Sequence, residues 1–173
     1  IVLEYESGLN KRIGISLLQS AMIDISHLAV MLTITSVISL PLCVMIGNKV
    51  SAFTLTQGIG LYLLIALYST VVGLWFILLA KITSKVVKYQ YIGVLSITIF
   101  GALGFLNLIA GFLNSNLLNI SKIVPNSWFI QGFTDIILND TLQKMPYKSY
   151  GVLLLMALLM VLLNKLYGDR QSR

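Results

Sequence analysis

The chain of 173 residues has one histidine, one cysteine and three prolines, and only 10% of its side chains are charged. Each shortage excludes something. A single His27 and a single Cys43 cannot supply a zinc site built from those residue types. Cys43 also lies in an apolar run, so neither a disulfide frame nor a cysteine metal cluster is expected. No G-x-x-x-x-G-K-[ST] stretch occurs, so this chain does not cradle ATP phosphates in that way. There is no initiator methionine before Ile1 and no basic-then-apolar leader, and the chain reads as the C-terminal part of something longer.

What remains is hydrocarbon. Soluble domains are about 25% charged. This chain is 57% hydrophobic with a mean hydropathy of +0.91, the composition of an integral membrane protein. One bilayer crossing takes about 20 apolar residues. Four such crossings fit, over residues 28–46, 61–80, 92–113 and 150–166. Pro41 is tolerable in the first because neighbouring groups can satisfy the freed carbonyl. Before it, residues 16–27 divide on a helical wheel. Ser16, Gln19, Ser20, Asp24 and His27 fall on one side, and Leu17, Leu18, Ala21, Met22 and Ile25 on the other. That pattern predicts an interfacial helix acting as an elbow into the first span, so that residues 1–27 form a cytoplasmic loop and interfacial helix.

Residues 114–148 are too apolar for an ordinary loop and too broken for a span. Asn126 or Ser127 can cap a short helix after Pro125, with Phe129, Phe133, Ile136 and Ile137 as its apolar face. This predicts a re-entrant or interfacial helix pair on the outer side. The expected fold is therefore all-α and membrane-integral: four spans, an N-terminal interfacial or coupling helix, and a re-entrant pair before the last span.

Charge sets the orientation. The net charge of +6 is spread over membrane-flanking loops, which points to the positive-inside rule rather than to a nucleic-acid partner. Lys11, Arg12, Lys81, Lys85, Lys88, Lys165, Arg170 and Arg173 share one side, eight bases, against Lys49, Lys122, Lys144 and Lys148, four, on the other. Both ends of the chain are thus expected in the cytoplasm. Lys81, Lys85 and Lys88, at i, i+4 and i+7, read as one basic stripe on a continuing helix, snorkelling to anionic headgroups.

Chemistry is scarce. Asp24 and His27 share a face, but a proton relay there is less favoured than interfacial anchoring, with Asp24 stabilised near a helix N-terminus. No catalytic residue is expected. Ser69, Thr70 and Gly73, with Ala66, form one small or polar stripe, and Gly104, Asn107, Gly111 and Asn114 another. Such stripes pack helices closely, and packing is preferred over the alternative, the lining of a substrate path. Two places resist a bland reading. Glu4, Glu6 and Gly8, followed by Lys11 and Arg12, make a mixed-charge knob just before the first span. Pro125, Trp128, Gly132 and Phe133 punctuate the outer segment, and an interfacial aromatic belt accounts for Trp128 alone.

These two places resemble a family. Glu4-Tyr5-Glu6-Ser7-Gly8 with Arg12 looks like the Glu-x-Glu-x-Gly…Arg stretch in the cytoplasmic loop of ABC-2-type transporter permeases. Pro125-Asn126-Ser127-Trp128 followed by Gly132-Phe133 is similar to their Pro-x-x-Trp…Gly-Phe segment before the last span. Leu9, where that family often has Thr, and Asn10, where an apolar residue is usual, depart from the pattern. The resemblance covers nearly the whole chain and implies that two earlier spans precede it.

By the same resemblance the function is export driven by ATP. The substrate path would be shared with a second permease copy or a homologous permease, and each would dock on a separate ABC ATPase subunit. ATP and Mg would then sit on that subunit, with no cofactor in this chain. Glu4, Glu6 and Gly8 would contact the ATPase, with Lys11 and Arg12 beside them. The location would be a bacterial plasma membrane, and the exported substrate stays open. The competing expectation is a non-catalytic membrane assembly, immunity or sensor protein with no ATPase partner. A membrane-embedded enzyme is disfavoured by the lone His27 and scattered acids.

Overall fold

Inside a bilayer no water reaches the backbone, so a long apolar run must satisfy its N–H and C=O groups within itself, as a helix. A computed structural model describes residues 17–49, 53–83, 85–106, 109, 119–138 and 146–171. Its elements are α1 (Leu17–Lys49), α2 (Leu55–Ile82), α3 (Val86–Phe105), α4 (Pro125–Leu138) and α5 (Tyr147–Gln171). No strand occurs among the described residues. Four of the helices hold apolar stretches long enough to cross a membrane: Met22–Asn48, Leu55–Ile82, Val86–Phe105 and Tyr147–Tyr167. The chain is a multi-pass membrane protein.

α2 is the centre. It packs against all four other helices, most extensively against α5 and α1. Half of its apolar span, 50%, is buried in protein, against 6% for α1, 11% for α3 and 17% for α5. The core forms where α2 presents Leu61, Leu64 and Val71 to Trp128 and Ile136 of α4 and Leu153 of α5. The outer helices expose large apolar side chains instead, among them Ile25 and Met45 on α1, Tyr91 and Val94 on α3, and Leu155 and Leu162 on α5. In water such surfaces would aggregate; in lipid they are solvated.

The helix ends differ from expectation at several points. α1 runs unbroken for 33 residues through the predicted elbow. Met22 and Ile25, expected to lie on a membrane surface, are exposed, whereas Asp24 and His27 on the opposite side are half-buried. The polar side of that wheel is thus the protein-facing one. α2 begins six residues before the expected span, because Thr54 and Gln57 form a reciprocal cap. The Gln57 amide donates to Thr54 Oγ1 (3.3 Å), and the Thr54 amide donates to Gln57 Oε1 (2.7 Å). α2 then stops at Thr83, whose amide and hydroxyl both donate to the Leu79 carbonyl, at 2.9 and 2.6 Å. A new helix starts at Val86 behind an extended Lys85 (φ −122°, ψ 132°). Lys81, Lys85 and Lys88 therefore do not share one helix.

α3 occupies Val86–Phe105 rather than residues 92–113. Of the expected outer pair, α4 is one member, and residues 110–118 lie outside the described set. Neither Asn126 nor Ser127 caps α4. The helix starts at Pro125 itself, the first helical position, where a missing N–H is no loss.

Gln57 serves both ends of this contact, since its Nε2 also donates to the Ile136 carbonyl near the end of α4 (3.1 Å). Gln57→Ala should therefore lower stability by about 1–2 kcal/mol, the usual range for a lost helix cap. Unfolding by SDS titration in mixed micelles would measure it.

Candidate functional site

Two polar constellations stand out, at opposite ends of the bundle. The first joins three helices. Asp24, two turns into α1, faces Lys81, one residue from the end of α2, and the two form an ion pair. The Lys81 side chain is 2% exposed and that of Asp24 20%. The negative end of the α2 dipole adds to the attraction for the ammonium. Lys81 Nζ also donates to the backbone carbonyl of Asn164 on α5 (3.3 Å). Asn164 in turn donates from Nδ2 to the carbonyls of Leu74 on α2 (3.0 Å) and Met160 on its own helix (2.9 Å). Its Oδ1 is buried and accepts no hydrogen bond from the described residues.

This corrects two expectations. Lys81 does not snorkel to lipid: it is buried and paired. Asp24 is not simply an anion at a helix N-terminus, since it neutralises Lys81 across the α1–α2 contact. Both residues fall inside candidate crossings, Asp24 in Met22–Asn48 and Lys81 in Leu55–Ile82. Lys85, Lys88 and Lys165 are exposed at the same end of the bundle.

The second constellation surrounds α4. Tyr68 on α2 donates its hydroxyl to Asn126 Oδ1, and its ring lies 4.7 Å from that of Phe129. Ser127 donates to the Ser121 carbonyl, and Trp128 Nε1 to the Lys122 carbonyl (2.7 Å). Lys148 sits 5.8 Å above the Trp128 ring. Tyr150 of α5 donates to the Gly60 carbonyl (2.8 Å). The turn before α4 thus brings side-chain donors to the Ser121 and Lys122 carbonyls, that of Ser121 also accepting from the Val124 amide (3.2 Å).

Glycines set how closely the helices approach. A Cβ on Gly132 would meet Leu64 Cδ1 at 2.9 Å and Ser149 Cβ at 3.1 Å, so α2, α4 and α5 converge there. A Cβ on Gly104 would meet Asn126 Cβ at 2.7 Å, where α3 meets α4. A Cβ on Gly73 would meet Met31 Sδ at 2.7 Å and Leu28 Cδ2 at 3.1 Å, where α1 meets α2. Ser69 is buried, and Thr70 donates to the Ala66 carbonyl of its own helix (2.8 Å). Phe133 is half-buried on α4, its ring 6.2 Å from that of Phe129. Pro125 and Trp128 are buried at the start of the same helix.

Glu4, Glu6, Gly8, Lys11, Arg12, Asn107 and Gly111 lie outside the described residues. The structure therefore gathers Pro125, Trp128, Gly132 and Phe133 on one helix, puts Gly73 of one small-residue stripe and Gly104 of the other at different contacts, and leaves the N-terminal knob outside the described residues. Sequence reasoning missed Asn164. The signal was present, since it is the one amide within the apolar run of residues 150–163 and their neighbour 164. Among the described residues, no three His, Cys, Asp or Glu side chains stand close enough to hold a metal ion.

Fold and polar network together define a class: a multi-pass helical membrane protein, with four candidate spans among the described residues and a fifth helix packed beside three of them. No family model, no characterised protein and no solved structure matches the chain.

Proposed function

We propose that this chain is a membrane-spanning permease subunit of an ATP-driven ABC-2-type exporter, forming a substrate path by alternating access while a separate subunit hydrolyses ATP. The observation that carries this reading is the position of α4. It runs beside α2 from Tyr68 to Gln57 and meets α3 at Gly104 and α5 at Ser149. At 1.5 Å per residue, Tyr68 lies about 20 Å along α2 from Ile82, and Gly104 about 27 Å along α3 from Val86. In a hydrocarbon layer of about 30 Å, the first half of α4 then lies within the outer third and its second half emerges. That placement supports reading α4 as the emerging limb of a re-entrant segment. It stands at the end opposite Lys81, where Lys85, Lys88 and Lys165 gather and where the cytoplasm would lie.

The order of parts supports the same reading: a charged knob at residues 4–12, four spans, and the immersed helix directly before the last. In this arrangement the knob touches the ATPase subunit, which holds ATP and Mg, and a second permease, identical or homologous, completes the path in a bacterial plasma membrane.

A single cysteine at Gly8 in the full-length protein, with Cys43→Ala, tests the partner by crosslinking in native membranes. A nucleotide-binding subunit should be captured. Labelling of the same cysteine from the cytoplasm, with no ATPase partner captured, would instead favour a non-catalytic membrane protein; labelling only from outside would overturn the orientation. Reversing charge at Glu4 and Glu6 should leave insertion intact and reduce transport at least about tenfold, the scale of an allosteric coupling energy. Wild-type transport in that double variant would remove the docking role.

A further inference from the structure

We propose that Asp24, Lys81 and Asn164 form a two-position latch on α1: closed with the Lys81 ammonium on Asp24, open with it turned onto the side-chain oxygen of Asn164.

A latch buried in a membrane must offer the ammonium a hydrogen-bond acceptor in each position, because a buried ammonium with neither counter-charge nor acceptor does not persist. Asp24 is the acceptor in the closed form. The second acceptor is already adjacent. Lys81 Nζ touches the backbone carbonyl of Asn164 at 3.3 Å, and Oδ1 of that same residue, itself 5% exposed, has no donor among the described residues. A buried amide oxygen without a donor is unfavourable, so the closed form leaves one acceptor unfilled. Opening fills it. The gained acceptor offsets part of the lost ion pair, which keeps the open form within reach as a minor state rather than a forbidden one.

The geometry also decides which helix moves. Asn164 Nδ2 is bonded to Leu74 of α2 and Met160 of α5, so the waiting oxygen is fixed to the α2–α5 pair. The ammonium rides on α2 itself, at the end of a flexible four-carbon stem. Only Asp24 belongs to α1, a continuous 33-residue helix with few contacts to α5 and most of its surface outside the protein. Release of Asp24 therefore frees the start of α1 and leaves α2 and α5 joined. This follows from the three side chains alone and does not rest on the exporter reading.

Pulsed electron spin resonance on the full chain in lipid nanodiscs tests it. Cys43→Ala would remove the native thiol, and labels would sit at Ser26 on α1 and Leu166 on α5, both exposed. Asp24→Asn should raise the weight of the longer distance by about tenfold or more, and Asn164→Asp, which strengthens the second acceptor, should do the same. Asn164→Leu should lower it, and combined with Asp24→Asn should cancel most of the gain. If Asn164→Leu does not fold, Asn164→Asp decides alone. Distance distributions unchanged from wild type in both Asp24→Asn and Asn164→Asp would show a static tie. A gain in Asp24→Asn that persists in full when Asn164 is leucine would remove Asn164 as the second position.

Discussion

Asp24→Leu should destabilise the folded protein by about 3 kcal/mol or more, whereas Lys81→Met should cost less, and the two together less than Asp24→Leu alone. The order follows from burial. With Asp24 gone, an ammonium whose side chain is 2% exposed loses its counter-charge and keeps the Asn164 carbonyl as a weaker acceptor. With Lys81 gone, the remaining carboxylate is 20% exposed and reaches water more easily. The double variant leaves no buried charge to compensate. A double-mutant cycle, read by SDS-induced unfolding in mixed micelles, would give a large coupling between the two sites. Additive losses would mean that the pair contributes no interaction of its own and that each side chain acts through packing.

Gly132→Ala should cost about 1–3 kcal/mol, and Gly132→Leu should prevent the native packing of α4 altogether. An added Cβ would stand 2.9 and 3.0 Å from the two methyls of Leu64 and 3.1 Å from Ser149 Cβ. Leu64 is fully buried and Ser149 1% exposed, so neither has room to withdraw. Gly151 is the control. It also lies in a helix, at the outer end of α5, and nothing stands within 4 Å of the Cβ it would gain. Gly151→Ala should stabilise by up to about 1 kcal/mol, because alanine loses less backbone freedom in a helix than glycine. Thermal unfolding of the detergent-solubilised protein compares the two. Equal effects at Gly132 and Gly151 would show that helix propensity, and not the meeting of three helices, governs Gly132.

The four spans were legible because apolar length alone forces them: a charge-free run of bilayer thickness has few other ways to fold. Their boundaries were less so. The start of α2 depends on the Thr54–Gln57 reciprocal cap, a local signal, but the end of α2 depends on Thr83 turning back onto Leu79. Lys81 shows the deeper limit. A lysine at a span end either snorkels or pairs, and its own neighbours in the chain do not decide between the two. Its partner is 57 residues away, on a helix whose polar side can face lipid headgroups or protein with the same periodicity. The wheel over residues 16–27 put Asp24 and His27 opposite Met22 and Ile25, as the structure does, and said nothing of which side met α2. At α4 the readings were closer. Phe129, Phe133 and Ile136 do lie in or against the core, and Trp128, which stood outside the expected apolar face, is buried with them. Gly132, noticed only as part of a motif, has a steric reason that appears when Leu64 and Ser149 are placed beside it.

The central place of α2 bears on how the protein is made. Of its four neighbours, only α1 precedes it in the chain, while α3, α4 and α5 follow. Synthesis therefore delivers the common template early, and each later segment meets a surface already in the bilayer. Until α5 arrives, the groove formed by Leu61 and Leu64 has lipid rather than Leu153 against it, and Lys81 lacks the Asn164 carbonyl. A nascent chain halted after α3 would present that unfinished groove, with its lysine, to the membrane proteases that remove unassembled spans. Completion of α5 is the step that sets Leu153 into the groove and brings the Asn164 carbonyl to Lys81.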